Sequence, residues 1–110
     1  MGLQVVPSEL EAKLLEHPYV SDCAVLGKYV EAQATELPTA FVVLSVAARE
    51  KNTKRAVEEI HRWLNERVAP YKRLRGGIQL VPAIPKSPSG KISRRQLKDS
   101  LNDATREPKL

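Results

Sequence analysis

The sequence predicts an α+β domain in which a small, mainly antiparallel sheet of about three strands packs against two to three helices. Three observations carry this expectation. "DCAVLGKYV" (22–30) and "PTAFVVLSV" (38–46) are β-rich runs of strand length joined by the polar stretch "EAQATEL". A longer segment, "KRAVEEIHRWLNERV" (54–68), then repeats apolar residues at helical spacing. "GGIQLVP" (76–82) adds a third short strand opened by a glycine pair.

Taken in order, the elements read β-α-β-β-α-β-α. After the short apolar run "LQVV", the segment "PSELEAKLLEH" places Leu10, Leu14 and Leu15 on one side of a first helix. Pro7 suits a helix start, and Ser8 with Glu11 stands in capping-box register. The two β-rich runs follow as antiparallel partners, and the second, apolar on both faces near its middle, should be the central strand. Thr53 is the expected N-cap of the long helix, Val57, Ile60, Leu64 and Val68 form its apolar stripe, and Pro70 stops the pattern. The last helix, "SRRQLKDSL", repeats the capping logic, with Ser93 as N-cap, Gln96 reaching back, and Leu97 and Leu101 on one face. Residues 1–101 should form one domain and residues 102–110 a frayed tail.

A chain of 110 residues can bury one modest core, and its 42% hydrophobic and 28% charged residues are those of a globular domain. No apolar run approaches the roughly 20 residues needed to cross a bilayer, and the N-terminus lacks a secretory signal, so no membrane span is expected. The single cysteine, Cys23, should be a buried small apolar side chain rather than a reactive thiol. His17 and His61 lack ligand-spaced neighbours; a metal site is not expected, and both should lie at the surface or its boundary. The net charge of +5 divides into −1 over residues 1–55 and +6 over residues 56–110. That asymmetry suggests a phosphate-bearing partner for the second half, with a solvated basic face as the plain alternative. A nucleic-acid module ranks lower, because the five aromatic residues form no base-stacking pattern.

The loop "PKSPSGK" (85–91) is the most distinctive candidate site. A Walker-type phosphate loop needs glycine where Pro85 stands and Ser or Thr where Ile92 stands, so that reading is excluded. What remains is a turn stiffened by Pro85 and Pro88, with Gly90 free to take an unusual backbone and Lys91 presented outward.

The ordered set "GLQVVPSELE", "HPYVSDCAVLG", "ELPTAFVVL", "KRLRGG" and "VPAIPKSPSGKISRRQL" resembles the C-terminal small domain of adenylate-forming enzymes, in the acyl-CoA ligase branch that includes 4-coumarate CoA ligases and beetle luciferase. The resemblance runs from Gly2 to about Leu101. It implies a piece of a larger acid–thiol ligase, begun within the hinge-side motif, where Met1 replaces the family's lysine. Such enzymes use ATP, with magnesium as MgATP, to turn a carboxylic acid into an acyl-adenylate, then transfer the acyl group to coenzyme A.

By position, Lys91 matches the family's catalytic lysine, which also contacts the nucleotide. A compact ammonium on a flexible stem can contact carboxylate and phosphate together as the new bond forms. The resemblance further implies that Gln4 lies near the nucleotide and that Gly2 allows backbone approach to the pantetheine arm of CoA; the basic segment 72–75 could help hold the coenzyme's phosphates, but the family does not fix this residue by residue. It implies rotation of this domain against a large N-terminal domain that holds the ATP and acyl pockets, and inactivity of the chain alone. An adenylation domain that loads a carrier protein is the alternative within the superfamily. Pro108, Lys109 and Leu110 resemble a Ser-Lys-Leu peroxisomal address, which implies a peroxisomal import receptor as a partner; otherwise the expected location is cytoplasmic.

Overall fold

A computed structural model describes residues 6–30, 35–69 and 73–99, with side chains from 6–27, 37–69 and 73–99. Helix α1 (Pro7–Leu14) leads into strands β1 (Val20–Val30) and β2 (Thr35–Leu44). A four-residue helix α2 (Val46–Arg49) and the long helix α3 (Thr53–Asn65) follow, then β3 (Ile78–Leu80). Residues 94–99 are helical and are designated α4. The expected strand "LQVV" and Leu101 lie outside the described residues.

The sheet order is β1-β2-β3, so β2 is central as its two-faced apolar pattern predicts. β1 and β2 pair antiparallel, from Val20↔Leu44 to Val30↔Thr35. The connection is therefore shorter than the polar stretch 31–37: main-chain pairing is indifferent to side-chain polarity and continues past the apolar pattern. β3 pairs parallel with β2, through Ala40↔Ile78 to Val42↔Leu80. The sheet is thus mixed, because α3 carries the chain back to the end of the sheet from which β2 started.

Side-chain alternation sends successive strand residues to opposite faces, and both faces are covered. On one face Cys23, Val25, Ala40, Val42 and Leu44 pack with Leu10 and Leu14 of α1, Ala48 of α2, and Ala56, Ile60 and Leu64 of α3. On the other, Ala24, Leu26, Phe41 and Val43 pack with Ile84 and Leu97, with Val81 and Ile92 at the margin. The second face is therefore covered by the segment that carries the Lys91 loop. Full burial of each large side chain there contributes about 1.5–3 kcal/mol, which seats the loop on a fixed platform.

Several local expectations require correction. Helix α1 is capped at Val6 without a side-chain bond. Pro7 already occupies the first helical turn, which puts Ser8 inside the helix, and Glu11 points to β1 instead of back along its own backbone. The cap of α3 is Asn52, not Thr53: its Oδ1 accepts the Arg55 N–H at 3.2 Å. The stripe of α3 is centred on Ala56, Ile60 and Leu64, with Val57 and Val68 partly buried, and the helix ends at Asn65. Pro70 lies outside the described residues. Helix α2 was not foreseen; Ser45 caps it by accepting from the Ala48 N–H at 3.3 Å. Ser93 does accept the Gln96 N–H at 3.5 Å, but its own N–H goes to the Pro85 carbonyl at 2.8 Å rather than to the Gln96 side chain.

His17 is another correction: it is buried, not a surface residue. Its Nδ1 accepts the Tyr19 N–H at 3.0 Å, and its ring meets Trp63 edge-on with centroids 5.1 Å apart. Burial is the main reason its pKa lies below 6.5; Arg67 adds to that shift and Glu59 opposes it.

Candidate functional site

The Pro/Ser/Gly loop closes as a small hairpin. Lys86 and Ile92 form an antiparallel bridge, the Ser87 N–H donates to the Lys91 carbonyl at 2.7 Å, and the Gly90 N–H donates to the Ser87 carbonyl at 2.8 Å. Gly90 has φ of 89°, a conformation that side-chain-bearing residues avoid, so glycine is required at the turn. The Ser87 and Ser89 hydroxyls are 2.9 Å apart and add a local bond across the tip. Ile92 then turns inward against the second apolar cluster.

Cations flanking the tip are used in two different ways. Lys86 pairs with Asp22 of β1 at 3.0 Å, and Arg94 pairs with Glu11 of α1 at 2.7 Å. Lys91, between them in sequence, is exposed, and among the described residues its ammonium has no hydrogen-bond or ion-pair partner. The loop is thus held at both ends by charges that face the domain, while the charge at its tip faces away from it.

The Arg94 anchor has a specific origin in the sheet. Among the described residues β1 is an edge strand, and Val25 turns both backbone polar groups away from β2, where no further described strand satisfies them. Glu11 Oε2 accepts the Val25 N–H at 2.7 Å and Arg94 Nη1 donates to the Val25 carbonyl at 2.8 Å. The same two side chains bond each other, Nη1 to Oε2 at 2.7 Å and Nη2 to Oε1 at 3.3 Å. An ion pair drawn from residues 83 positions apart therefore does for Val25 what a neighbouring strand would do. Glu11, Arg94, Asp22 and Lys86 were all missed in the sequence. For Glu11 the signal was present: a carboxylate between Leu10 and Leu14 on the inward side of α1 needs a buried partner.

Other expected site residues fall as follows. Gly2, Gln4, Lys72, Pro108, Lys109 and Leu110 lie outside the described residues. Arg73 and Arg75 are exposed on either side of buried Leu74, and Gly76 lies so close to Thr39 that a side chain there would collide with its hydroxyl. A groove of about 540 Å³ along α3 is lined by Lys51, Asn52, Arg55, Glu58, Glu59 and Arg62, and it includes no residue of the Lys91 loop. Cys23 is buried, and burial first, then the carboxylates of Glu11 and Asp22, push its thiol up to about 12. It is not a nucleophile near neutral pH. Among the described residues no three His, Cys, Asp or Glu side chains gather as a metal site, and no helix is long and apolar enough to cross a membrane.

With this geometry in place, comparison with known proteins is direct. Residues 9–91 match the family described as the AMP-binding enzyme C-terminal domain, and the chain belongs to that family. It is 51% identical over 100 residues to 4-coumarate–CoA ligase-like 9 of Oryza sativa subsp. japonica, covering 91% of this chain and 17% of that protein. To the probable 4-coumarate–CoA ligase 3 of Dictyostelium discoideum it is 44% identical over 101 residues, covering 92% and 17%. Among solved structures, the acyl-CoA synthetase of Brucella canis superposes with a TM-score of 0.81 at 31% identity, over 96% of this chain and 19% of that one. The chain thus spans about a sixth of the length of the curated relatives it matches.

Proposed function

We propose that this domain works as the mobile C-terminal part of an ATP-dependent acyl- or aryl-CoA ligase, with Lys91 assisting formation of the acyl-adenylate. The observation that carries the reading is the division of charges around the loop. Lys86 and Arg94 are neutralised against Asp22 and Glu11, whereas Lys91 is exposed at a tip that Gly90 and the hairpin bonds hold in shape. Such a tip, closed over a carboxylate and the α-phosphate of ATP, brings one positive charge to the place where negative charge gathers. Among the matched structures is an anthranilate CoA ligase in complex with anthranoyl-AMP, with a TM-score of 0.78 at 33% identity, which supports an acyl-adenylate as the relevant intermediate.

In this reading the carboxylic acid, MgATP and coenzyme A are substrates, bound mainly by a large N-terminal domain. Lys91 serves the first step. For the second, the domain rotates and presents its hinge side, where Gly2 approaches the pantetheine arm and Gln4 lies near the nucleotide. The 110 residues alone release no pyrophosphate from ATP. Pro108, Lys109 and Leu110 address the protein to peroxisomes through an import receptor.

The test is Lys91→Ala in the longer ligase, assayed separately for its two half-reactions. Acyl-adenylate formation should slow by on the order of 10²-fold or more. Thioester formation from supplied acyl-adenylate should be largely spared. Equal loss of both steps would remove Lys91 from the role assigned to it.

A further inference from the structure

We propose that Glu11 is a positioning residue for Lys91, acting through Arg94 to fix where the loop tip stands relative to the sheet. The inference rests on the adenylation role of Lys91 but adds a residue 80 positions away in sequence, on a different element.

Glu11 is an expensive residue for its site. Its side chain is only 10% exposed, and burying a carboxylate carries a desolvation penalty that a well-packed apolar residue would not have. The Val25 N–H needs an acceptor there, but a neutral one would satisfy it, so that need alone does not call for a charge. The carboxylate is fully engaged, but with β1 and α4 rather than its own helix: Oε2 takes the Val25 N–H and Arg94 Nη1, and Oε1 takes Arg94 Nη2. The planar guanidinium is held by three bonds, two to Glu11 and one to the Val25 carbonyl, which fixes its direction as well as its distance.

Little slack separates this fork from the loop tip. Only Ile92 and Ser93 lie between Lys91 and Arg94, and both are tied down. Ile92 is bridged to Lys86 and packed on the apolar cluster, and the Ser93 N–H is bonded to Pro85. The opposite limb, which follows buried Ile84, has as its ion pair Lys86–Asp22, whose side chains are 43% and 33% exposed, a pair that solvent weakens. The Glu11–Arg94 fork is therefore the stiffer of the two attachments and sets the register of the tip. Misplacement of a catalytic group by about 1 Å can cost on the order of 10²-fold in rate, so a loop used this way needs such an attachment.

The test uses Glu11→Gln, which keeps the shape and removes the charge, and Arg94→Lys, which keeps the charge and removes the fork. In the 110-residue chain, amide exchange at Ser87 and Gly90 should accelerate about tenfold or more in both variants, while exchange at Ala40 in the central strand changes much less. In the longer ligase, each variant should lower kcat for acyl-adenylate formation by roughly 10- to 100-fold with little change in KM for ATP. Thioester formation from supplied acyl-adenylate should be unaffected. In a Lys91→Ala background, Glu11→Gln should cost nothing further, because it acts through the residue already removed. If Lys91→Ala slows adenylation but Glu11→Gln and Arg94→Lys leave both kcat and the loop amides unchanged, the positioning role is wrong and the role of Lys91 stands. Independent, multiplying losses from Glu11→Gln and Lys91→Ala would likewise overturn it. A Lys91→Ala protein with normal adenylation would instead refute the reading on which the inference rests.

Discussion

Replacing Arg94 by alanine should destabilise the domain substantially, whereas the same change at Lys91 should not. The two residues are three positions apart and both are cations, so composition treats them alike. In the structure they differ. Removing one partner of a fully buried ion pair costs about 3–5 kcal/mol, because the other charge is left without compensation. Glu11 meets that condition at 10% exposure, but Arg94 is 41% exposed, and water entering the vacated space would hydrate part of the carboxylate. An expectation of about 2–3 kcal/mol follows, including the bond lost from the Val25 carbonyl. Lys91 has no partner among the described residues, and an exposed substitution of that kind changes stability by no more than about 0.5 kcal/mol. Urea unfolding of the 110-residue chain is the appropriate assay. With a slope of about 1–3 kcal/mol/M, Arg94→Ala should lower the midpoint by roughly 0.7–3 M at unchanged slope, and Lys91→Ala should leave it nearly in place. Midpoints shifted equally by the two variants would refute the division of labour among the loop's cations.

Further outcomes are expected at four residues. Native Cys23 should resist iodoacetamide at pH 8 and react once urea unfolds the chain, as mass spectrometry would record. Because its folded pKa is raised from 9.0 to about 12, the stability it contributes is fully present below pH 9 and is lost as pH rises toward 12, a trend Cys23→Ala should flatten. His17 has the opposite sign: its folded pKa is lowered, so stability should fall as pH drops through 6.5 toward the folded value, and His17→Asn should weaken that dependence in urea titrations at successive pH values. Gly90→Ala places a side chain at a φ of 89° with nothing nearby to collide with, so its cost of about 1–2 kcal/mol should come from backbone strain alone and appear as faster amide exchange in the loop. Gly76→Ala, which drives a Cβ into Thr39 and the Pro38 carbonyl, should instead lower the urea midpoint of the whole domain.

The parts of the fold that were legible in the sequence are those written as periodicity. The two-faced apolar pattern around Phe41 placed β2 at the centre, and the spacing of Ile60 and Leu64 marked the buried side of α3. Lys91 stood out because proline and glycine around it define a turn whatever lies elsewhere in the chain. Features set by contacts between distant residues were not legible. The inward place of Glu11 between Leu10 and Leu14 called for a buried partner, but nothing local named Arg94 as that partner, and Ser8 offered a plausible local one that the position of Pro7 rules out. The parallel direction of β3 was missed for a related reason: a strand of three residues, Ile78–Leu80, carries no record of which strand it will join, and the helix before it settles the direction.

What most directly tests the account is pyrophosphate release during acyl-adenylate formation in the longer ligase, compared between Lys91→Ala and Lys98→Ala. Lys98 is an exposed lysine on the neighbouring helix α4 and controls for loss of a basic charge without loss of the tip. The account predicts a fall on the order of 10²-fold or more for Lys91→Ala and a rate close to the parent's for Lys98→Ala. Equal rates in the two variants would contradict it, since the position of Lys91 would then count for no more than its charge.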